Sequence, residues 1–319
     1  MNVPILFLIF NRPDTTIQVF EAIKIAKPAR LYVAADGARQ SKAGEARLCA
    51  EARRIATMVD WDCEVKTLFR DENLGCRLAV SGALDWFFAA EEYGIVLEDD
   101  CLPSASWFSF AHEMLEKYKN DDSIMCISAN HFCDDSHLSD CSYFFSNYAH
   151  CWGWASWRRA WIYYDHNMES WPALRKTNFL NQIWNGNKLI ARYWANIFDV
   201  AYEGIKVDSW AYRWLFSCWS KNGLTIMPMK NLVVNIGIGQ DATHTQFINP
   251  IVAGMKNEEL QFPLKHPPVI SRDVKADIWE SRYVYDISFK NISKSLLRDM
   301  PFVGGMLVSI KNLLAKLVH

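Results

Sequence analysis

The residues best suited to chemistry in this sequence are three adjacent carboxylates, Glu98, Asp99 and Asp100, which we call the acidic triplet. They follow an apolar run at residues 95–97. Three negative charges at the end of a buried strand repel one another unless a cation neutralises them. Carboxylate and phosphate oxygens are the ligands that Mg²⁺ and Mn²⁺ prefer. The acidic triplet therefore predicts a metal site for a diphosphate; the alternative is a solvated acidic turn that caps the helix after Pro103.

The first hundred residues alternate between short apolar runs and stretches in which apolar side chains recur at helical spacing. The strands are predicted at residues 4–10, 30–35, 64–69 and 94–97, and the helices at residues 14–27, 43–58 and 75–92. Such alternation is typical of a parallel sheet covered by helices, so the sequence predicts the α/β fold class.

Polar residues follow each of the predicted strands. Besides the acidic triplet, they are Asn11 and Arg12 after the first strand, Asp36 followed by Gly37 after the second, and Arg70 and Asn73 with nearby Gly75 after the third. In open α/β sheets, ligands bind at the carboxyl ends of the strands, so these residues are expected to meet in one crevice. Arginine binds phosphate through two parallel hydrogen bonds, and aspartate accepts a hydrogen bond from the ring N–H of uracil.

The Glu-Asp-Asp motif after an apolar strand, the Asn11-Arg12 pair and the strand ending in Asp36 resemble motifs of the GT-A glycosyltransferases. The chain is similar in particular to bacterial nucleotide-diphospho-sugar transferases and to the N-acetylglucosaminyltransferase I type, over about residues 3–247. The resemblance implies a GT-A, Rossmann-like, mostly parallel sheet flanked by helices. It also implies a UDP-type nucleotide-sugar donor and Mn²⁺ or Mg²⁺ as the cofactor.

The same resemblance implies a role for each matched residue. Arg12 and Asp36 would contact the nucleotide base or its phosphates. Glu98 and Asp99 would face the ribose and the sugar, and Asp100 would bind the metal. The other residues expected to contact the nucleotide-sugar are Phe10, Asn11, Gly37, Arg70, Asn73 and Gly75.

Residues 101–250 lose the regular alternation and gain aromatic side chains, notably Trp152, Trp154 and Trp157. Because aromatic rings can stack on the faces of sugars, we predict that these three bind the acceptor. The alternative is that they fill the core, where most large aromatic side chains lie.

Asp208 lies among aromatic residues after the Gly153-Trp154 segment, where the resembling family carries an aspartate shortly before a tryptophan. An inverting transferase needs a base that removes the acceptor hydroxyl proton, and Asp208 is our candidate. The alternative is that Asp208 caps the helix that follows it. In a later glycine-rich stretch, His244 lies where GT-A enzymes commonly carry a residue that closes over the diphosphate or completes the metal coordination. The resemblance therefore implies that His244 contacts the metal or the phosphate, and the alternative is a structural role.

The composition excludes several function classes. The chain has 319 residues and a formal net charge of −2, which speaks against a nucleic-acid binder. Its nine cysteines show no paired zinc-type spacing and no secretory signal precedes them, so we expect reduced thiols and a cytoplasmic location.

Two domains are predicted. Residues 1–268 form the catalytic domain, with a nucleotide-sugar half at 1–103 and an acceptor half at 104–268. Residues 269–319 form a helical tail whose end is apolar and basic. Such a tail either packs on the domain or binds the inner face of the membrane.

Together, the sequence and the resemblance predict a metal-dependent, inverting glycosyltransferase. It would move a sugar, GlcNAc or another hexose, onto a glycan or glycolipid acceptor, a precursor of a cell-surface glycan. One alternative is a sugar nucleotidyltransferase, although the residues after the first strand, Asn11 to Asp14, lack its glycine-rich phosphate loop. The other is a non-catalytic saccharide-binding protein, which would have no need of the acidic triplet.

Overall fold

The computed structural model describes residues 2–133, 140–204, 209–237 and 254–288. The strands of this part are β1 Ile5–Ile9, β2 Arg30–Ala35, β3 Glu64–Phe69, β4 Tyr93–Glu98, β5 Cys101–Pro103, β6 Ile124–Ser128, β7 Tyr143–Ser146, β8 Trp154–Trp157, β9 Leu224–Pro228 and β10 Val233–Asn235. The helices are α1 Pro13–Ala26, α2 Glu45–Ala56, α3 Gly75–Ala90, α4 Ala105–Lys117, α5 Arg158–Trp161, α6 Trp171–Leu174, α7 Phe179–Ile183, α8 Lys188–Glu203, α9 Trp210–Ser220 and α10 Val274–Tyr283.

In the described residues, a sheet of eight strands has the order β3-β2-β1-β4-β8-β6-β9-β7. The pairs from β3 to β4 are parallel, and β6 pairs with β9 in parallel as well. Strand β8 is antiparallel to both of its neighbours, and β7 is antiparallel to β9. The predicted α/β class with a mostly parallel sheet flanked by helices is confirmed.

The central strands are buried on both faces because helices cover both sides of the sheet. In β1, Ile5, Phe7 and Ile9 point toward α1 and α2, whereas Leu6 and Leu8 point toward α3. Successive side chains of a strand alternate between its two faces, so a strand covered on both sides must be apolar throughout. Because β1 is apolar throughout, the first polar residues after it lie at its carboxyl end.

A short two-stranded ribbon continues the chain beyond the acidic triplet. Strand β5 starts directly after Asp100 and pairs with β10 in antiparallel register, with Cys101 opposite Asn235. This pairing brings a segment from late in the sequence to the end of β4.

Contacts among the described residues cross the predicted boundaries at residues 103 and 268. The two halves, residues 1–103 and 104–268, share one sheet, since β4 pairs with β8. Residues 269–288, predicted as part of the tail, also belong to this body, because Asp277 of α10 accepts hydrogen bonds from Ser146 Oγ and Asn147 N. Residues 289–319 lie outside the described residues, so the membrane contact of the tail stays a prediction. None of the helices described here combines the length and the apolar character needed to cross a bilayer.

Candidate active site

A cavity of about 380 Å³ opens at the carboxyl ends of β1, β2 and β4. We call it the crevice. These strands are parallel neighbours, so the residues after them meet at one edge of the sheet. Most of the predicted site residues line it: Phe10, Asn11, Arg12, Asp36, Arg70, Asn73, Gly75, Glu98, Asp99, Asp100 and Trp152.

Each member of the acidic triplet has its own environment. Glu98 is the last residue of β4. Asp99 is buried, and its Oδ2 accepts a hydrogen bond of 2.8 Å from the backbone N–H of Phe10. Asp100 Oδ2 lies 2.8 Å from Nη1 of Arg12, and both side chains of this ion pair are largely buried. The triplet thus binds the ends of β1 and β4 together.

The acidic triplet does not cap the helix that follows. The first turn of α4 is capped by Glu259, which accepts hydrogen bonds from Ala105 N at 3.1 Å and Ser106 N at 2.8 Å. The alternative of a solvated capping turn is therefore wrong. The carboxylates of Asp99 and Asp100 instead contact Phe10 and Arg12 at the end of β1.

The electrostatics of the triplet favour a cation. Burial raises the pKa of Glu98 to about 8, and the charges of Asp100 and Asp99 add to this effect. Burial also raises the pKa of Asp99 to about 7, again with a contribution from Asp100. Arg12 opposes both shifts, but one guanidinium group does not neutralise three carboxylates. The carboxylate oxygens are of the type that a hard divalent cation binds, and such a cation would offset their mutual repulsion.

The described residues do not form a complete metal cage, since no three of their His, Cys, Asp or Glu side chains converge in a ligating arrangement. Mg²⁺ typically takes only one or two protein carboxylates and completes its octahedron with phosphate and water oxygens. A cation at this site would therefore take at most one or two carboxylates of the triplet and would need a phosphate-bearing ligand and water for its other ligands.

Two residues that the sequence analysis missed organise the nearby wall. Glu45, at the start of α2, is buried and accepts hydrogen bonds from Arg39 N at 2.7 Å and Asn11 Nδ2 at 2.9 Å. The hydrogen bond from the Arg39 guanidinium is the main cause that lowers the pKa of Glu45. Arg39 lines the crevice with its guanidinium 5.4 Å from the ring centroid of Phe10. The wall thus contains a guanidinium group whose position is fixed by its ion pair with a buried carboxylate.

Asp36 has a clear structural task. It is 9% exposed, and its two carboxylate oxygens accept hydrogen bonds from the backbone N–H groups of Gly37, Leu74 and Gly75 at 3.0–3.1 Å. The carboxylate thereby holds the start of α3 against the end of β2. The contact with a nucleotide base that the sequence predicts is not tested by this arrangement and stays a prediction.

Gly37 is not among the residues that line the crevice, and its predicted nucleotide contact stays a prediction. A Cβ atom on Gly37 would lie 2.3 Å from the carbonyl carbon of Glu72, so the position accepts no side chain. A hydrogen bond holds the same two loops together, since Asn73 Nδ2 donates to Gly37 O at 2.7 Å. Gly37 is therefore required by the contact between two loops.

Only one of the three predicted acceptor-binding tryptophans is available to a ligand. Trp152 is half-buried and lines the crevice. Trp154 and Trp157, at 0% and 2% exposure, lie in the core on β8. Trp154 packs against Trp210 and Trp214 of α9, with ring centroids 5.7 Å apart in both cases. The prediction is wrong for Trp154 and Trp157, because a sugar cannot stack on a ring without an exposed face.

Two further predicted residues, Asp208 and His244, lie outside the described residues, so their roles stay predictions. The stretch that carries His244 begins beside the acidic triplet, since Ile236 N donates to Asp100 O at 2.8 Å. Asn235, which the sequence analysis did not single out, lines the crevice as the last residue of β10. Its position at the crevice follows from the pairing of β10 with β5, which is a contact between distant parts of the sequence.

Comparison with known proteins adds little to this geometry. No protein-family model matches the sequence. No curated protein matches it either. Among solved structures, the chain is similar to HddC from Yersinia pseudotuberculosis, with 10% sequence identity, 49% of this chain and 77% of that chain covered, and a TM-score of 0.30. A similarity of this extent does not establish a shared function.

Proposed function

We propose that this protein is a metal-dependent glycosyltransferase that uses a nucleotide-sugar donor. The observation that carries the proposal is the combination, in one crevice at the carboxyl edge of parallel strands, of three adjacent carboxylates with arginine side chains. Carboxylates hold the cation that a diphosphate requires, and guanidinium groups bind the phosphate oxygens directly. The crevice has room for a small ligand, since binding cavities are usually about 300–1,000 Å³.

The roles follow from the contacts. Asp100 would hold Mn²⁺ or Mg²⁺, which would neutralise the charge that develops on the leaving diphosphate. Arg12 lies against Asp100 and is placed to turn toward the diphosphate when a cation replaces it. Arg39 and Arg70 line the same crevice and offer further guanidinium donors, that of Arg39 being paired with Glu45.

The acceptor would enter on the side of Trp152, whose ring is the accessible one of the three predicted tryptophans. Asp208 is the proposed base that removes the proton of the attacking hydroxyl, and a single displacement by that hydroxyl inverts the anomeric centre. The proposed acceptor is a glycan or a glycolipid.

The loop after β1 argues against a sugar nucleotidyltransferase. In that class a glycine-rich loop brings backbone N–H groups to the phosphates. Here β1 leads through Phe10, Asn11 and Arg12 straight into α1, which begins at Pro13. This loop contains no glycine, so a side chain, Arg12, takes the place of a backbone cradle.

A donor screen tests the proposal and separates it from the alternatives. We would incubate the protein with a panel of nucleotide-sugars, with Mn²⁺ or with EDTA, and measure the release of nucleoside diphosphate. With pyrophosphate added to the same mixture, formation of nucleoside triphosphate and sugar 1-phosphate would indicate a nucleotidyltransferase, and binding without turnover would indicate a saccharide-binding protein.

The matched variants are Asp100→Asn and, as a control, Asp122→Asn, whose side chain is 93% exposed. Asp100→Asn is expected to abolish metal-dependent donor binding in calorimetry, because it removes the carboxylate that Arg12 now neutralises. The control is expected to bind as the wild type does. Unchanged donor binding by Asp100→Asn would refute the metal role.

A further inference from the structure

The segment at residues 146–150 runs from the end of β7 toward the wall of the crevice. Every second residue of this segment makes a polar side-chain contact with helix α10. The members of all three pairs are buried or nearly so. The pairs are Ser146 Oγ to Asp277 Oδ1 at 2.5 Å, Tyr148 OH to Ser281 Oγ at 2.6 Å and His150 Nε2 to Glu280 Oε1 at 2.8 Å. This helix therefore determines where the segment runs.

The last of these pairs is connected to the crevice through two aromatic contacts. The edge of Phe132 packs on the ring of His150, with centroids 4.4 Å apart, and Phe132 also contacts Trp152 at 6.2 Å. Trp152 lines the crevice. Glu280 thus reaches the candidate acceptor wall through His150 and Phe132, and one residue, Cys151, separates His150 from Trp152 along the chain.

The pair of Glu280 and His150 is poorly explained by stability alone. The side chains are 1% and 10% exposed, and the two facing atoms have no aligned hydrogen bond within the described part of the chain. Burying a carboxylate costs several kcal/mol by general estimates, and apolar residues of similar volume often stabilise a protein at least as well. The contact instead places the imidazole of His150 between the carboxylate of Glu280 and the ring of Phe132.

We propose that Glu280 and His150 are positioning residues that hold Trp152 in place as the surface on which the acceptor sugar stacks. The proposal rests on the proposed function. It makes the helix near the carboxyl end of the described chain part of the acceptor site, although no residue of α10 lines the crevice.

Kinetics of Glu280→Gln, with Ser281→Ala as the matched control, test the proposal. Ser281 is adjacent on the same helix and equally buried, but it contacts Tyr148 rather than His150. In Glu280→Gln we expect the acceptor KM to rise at least about fivefold, while the donor KM, measured by donor hydrolysis without acceptor, stays within twofold. Ser281→Ala is expected to leave both constants within twofold. If Glu280→Gln fails to fold, His150→Leu replaces it, and we expect the same rise in the acceptor KM. His150→Gln keeps an N–H donor, so its acceptor KM is expected to lie close to that of the wild type.

A double-mutant cycle identifies Trp152 as the target. If the pair acts through Trp152, then Glu280→Gln adds little to the acceptor KM of Trp152→Phe. Equal effects of Glu280→Gln and Ser281→Ala, a parallel rise of both KM values, or full additivity with Trp152→Phe would overturn the proposal.

Hydrogen exchange keeps the proposal separate from the proposed function. In a peptide that covers residues 150–153, Glu280→Gln is expected to exchange faster than both the wild type and Ser281→Ala, whether or not turnover is found. Absence of turnover in the wild type, with this faster exchange, would refute the proposed function but retain the structural coupling on which the positioning role depends. Unchanged exchange would overturn the coupling itself.

Discussion

Replacing Arg12 by glutamine should have opposite effects on metal binding with and without a nucleotide. In the structure, the Arg12 guanidinium neutralises Asp100 at 2.8 Å and so competes with a divalent cation for that carboxylate. When a diphosphate is present, the same guanidinium is expected to bind phosphate instead. Arg12→Gln should therefore strengthen Mn²⁺ binding to the free protein and weaken it in the presence of a nucleoside diphosphate.

The magnitude follows from the burial of the ion pair. Unit charges about 4 Å apart interact by about 1 kcal/mol in water and about 4 kcal/mol at an effective dielectric constant of 20. The side chains of Arg12 and Asp100 are 22% and 15% exposed, which places this pair between those limits. Because 1.4 kcal/mol corresponds to a factor of ten, Mn²⁺ affinity without nucleotide should rise about tenfold. A charged hydrogen bond contributes about 1.5–3 kcal/mol, so nucleotide affinity should fall about ten- to a hundredfold.

The assay is a titration of Mn²⁺ followed by electron paramagnetic resonance of the free ion, at pH 8, with and without UDP. Arg12→Lys is the control because it keeps the positive charge, and it should behave as the wild type in the titration without UDP. Weaker or equal Mn²⁺ binding by Arg12→Gln in the absence of nucleotide would refute the view that Arg12 and the cation compete for Asp100.

Three further predictions concern single carboxylates. Burial raises the pKa of Glu98 to about 8 in the folded protein. The contribution of Glu98 to stability is therefore complete below the ordinary glutamate pKa near 4.5 and is lost as the pH rises through about 8. Urea unfolding with EDTA should therefore show a smaller loss of stability from pH 5 to pH 9 for Glu98→Gln than for the wild type, and equal losses would contradict the raised pKa. Asp36→Asn should lower the free energy of unfolding by about 1–3 kcal/mol, because an amide nitrogen would face backbone N–H donors; unchanged stability with lost nucleotide binding would assign Asp36 to the base instead. Asp208→Asn should retain donor affinity while transfer falls about a hundredfold or more, and wild-type turnover would remove Asp208 from the mechanism.

The parallel part of the sheet could be predicted because its pattern is local. The strands predicted at residues 30–35 and 64–69 have the bounds Arg30–Ala35 and Glu64–Phe69 in the structure. Apolar runs separated by helices require parallel pairing, and parallel pairing brings the strand ends together. That is why most of the crevice could be found from residue positions alone.

The residues that were misassigned or missed depend on contacts between distant parts of the chain. Trp154 is buried because α9 brings Trp210 and Trp214 against it, and a local pattern of tryptophans does not show which ring has a covered face. Arg39 could not be distinguished from a solvated loop arginine. Its position depends on Glu45, which in the sequence is only an acidic residue suited to a helix start.

The first glycine of the glycine-rich stretch that carries His244, Gly237, is required by packing. A Cβ atom on Gly237 would lie 2.3 Å from Nη1 of Arg12 and 2.4 Å from Oδ2 of Asp100, so the backbone passes directly against the ion pair. The backbone N–H of Gly237 also donates to Asn235 Oδ1 at 2.9 Å. If Arg12 leaves Asp100 when a cation and a diphosphate bind, the guanidinium on which Gly237 packs moves away and the cation takes its place beside Asp100. Residue 237 therefore connects the charge state of the acidic triplet to the segment of sequence that carries His244.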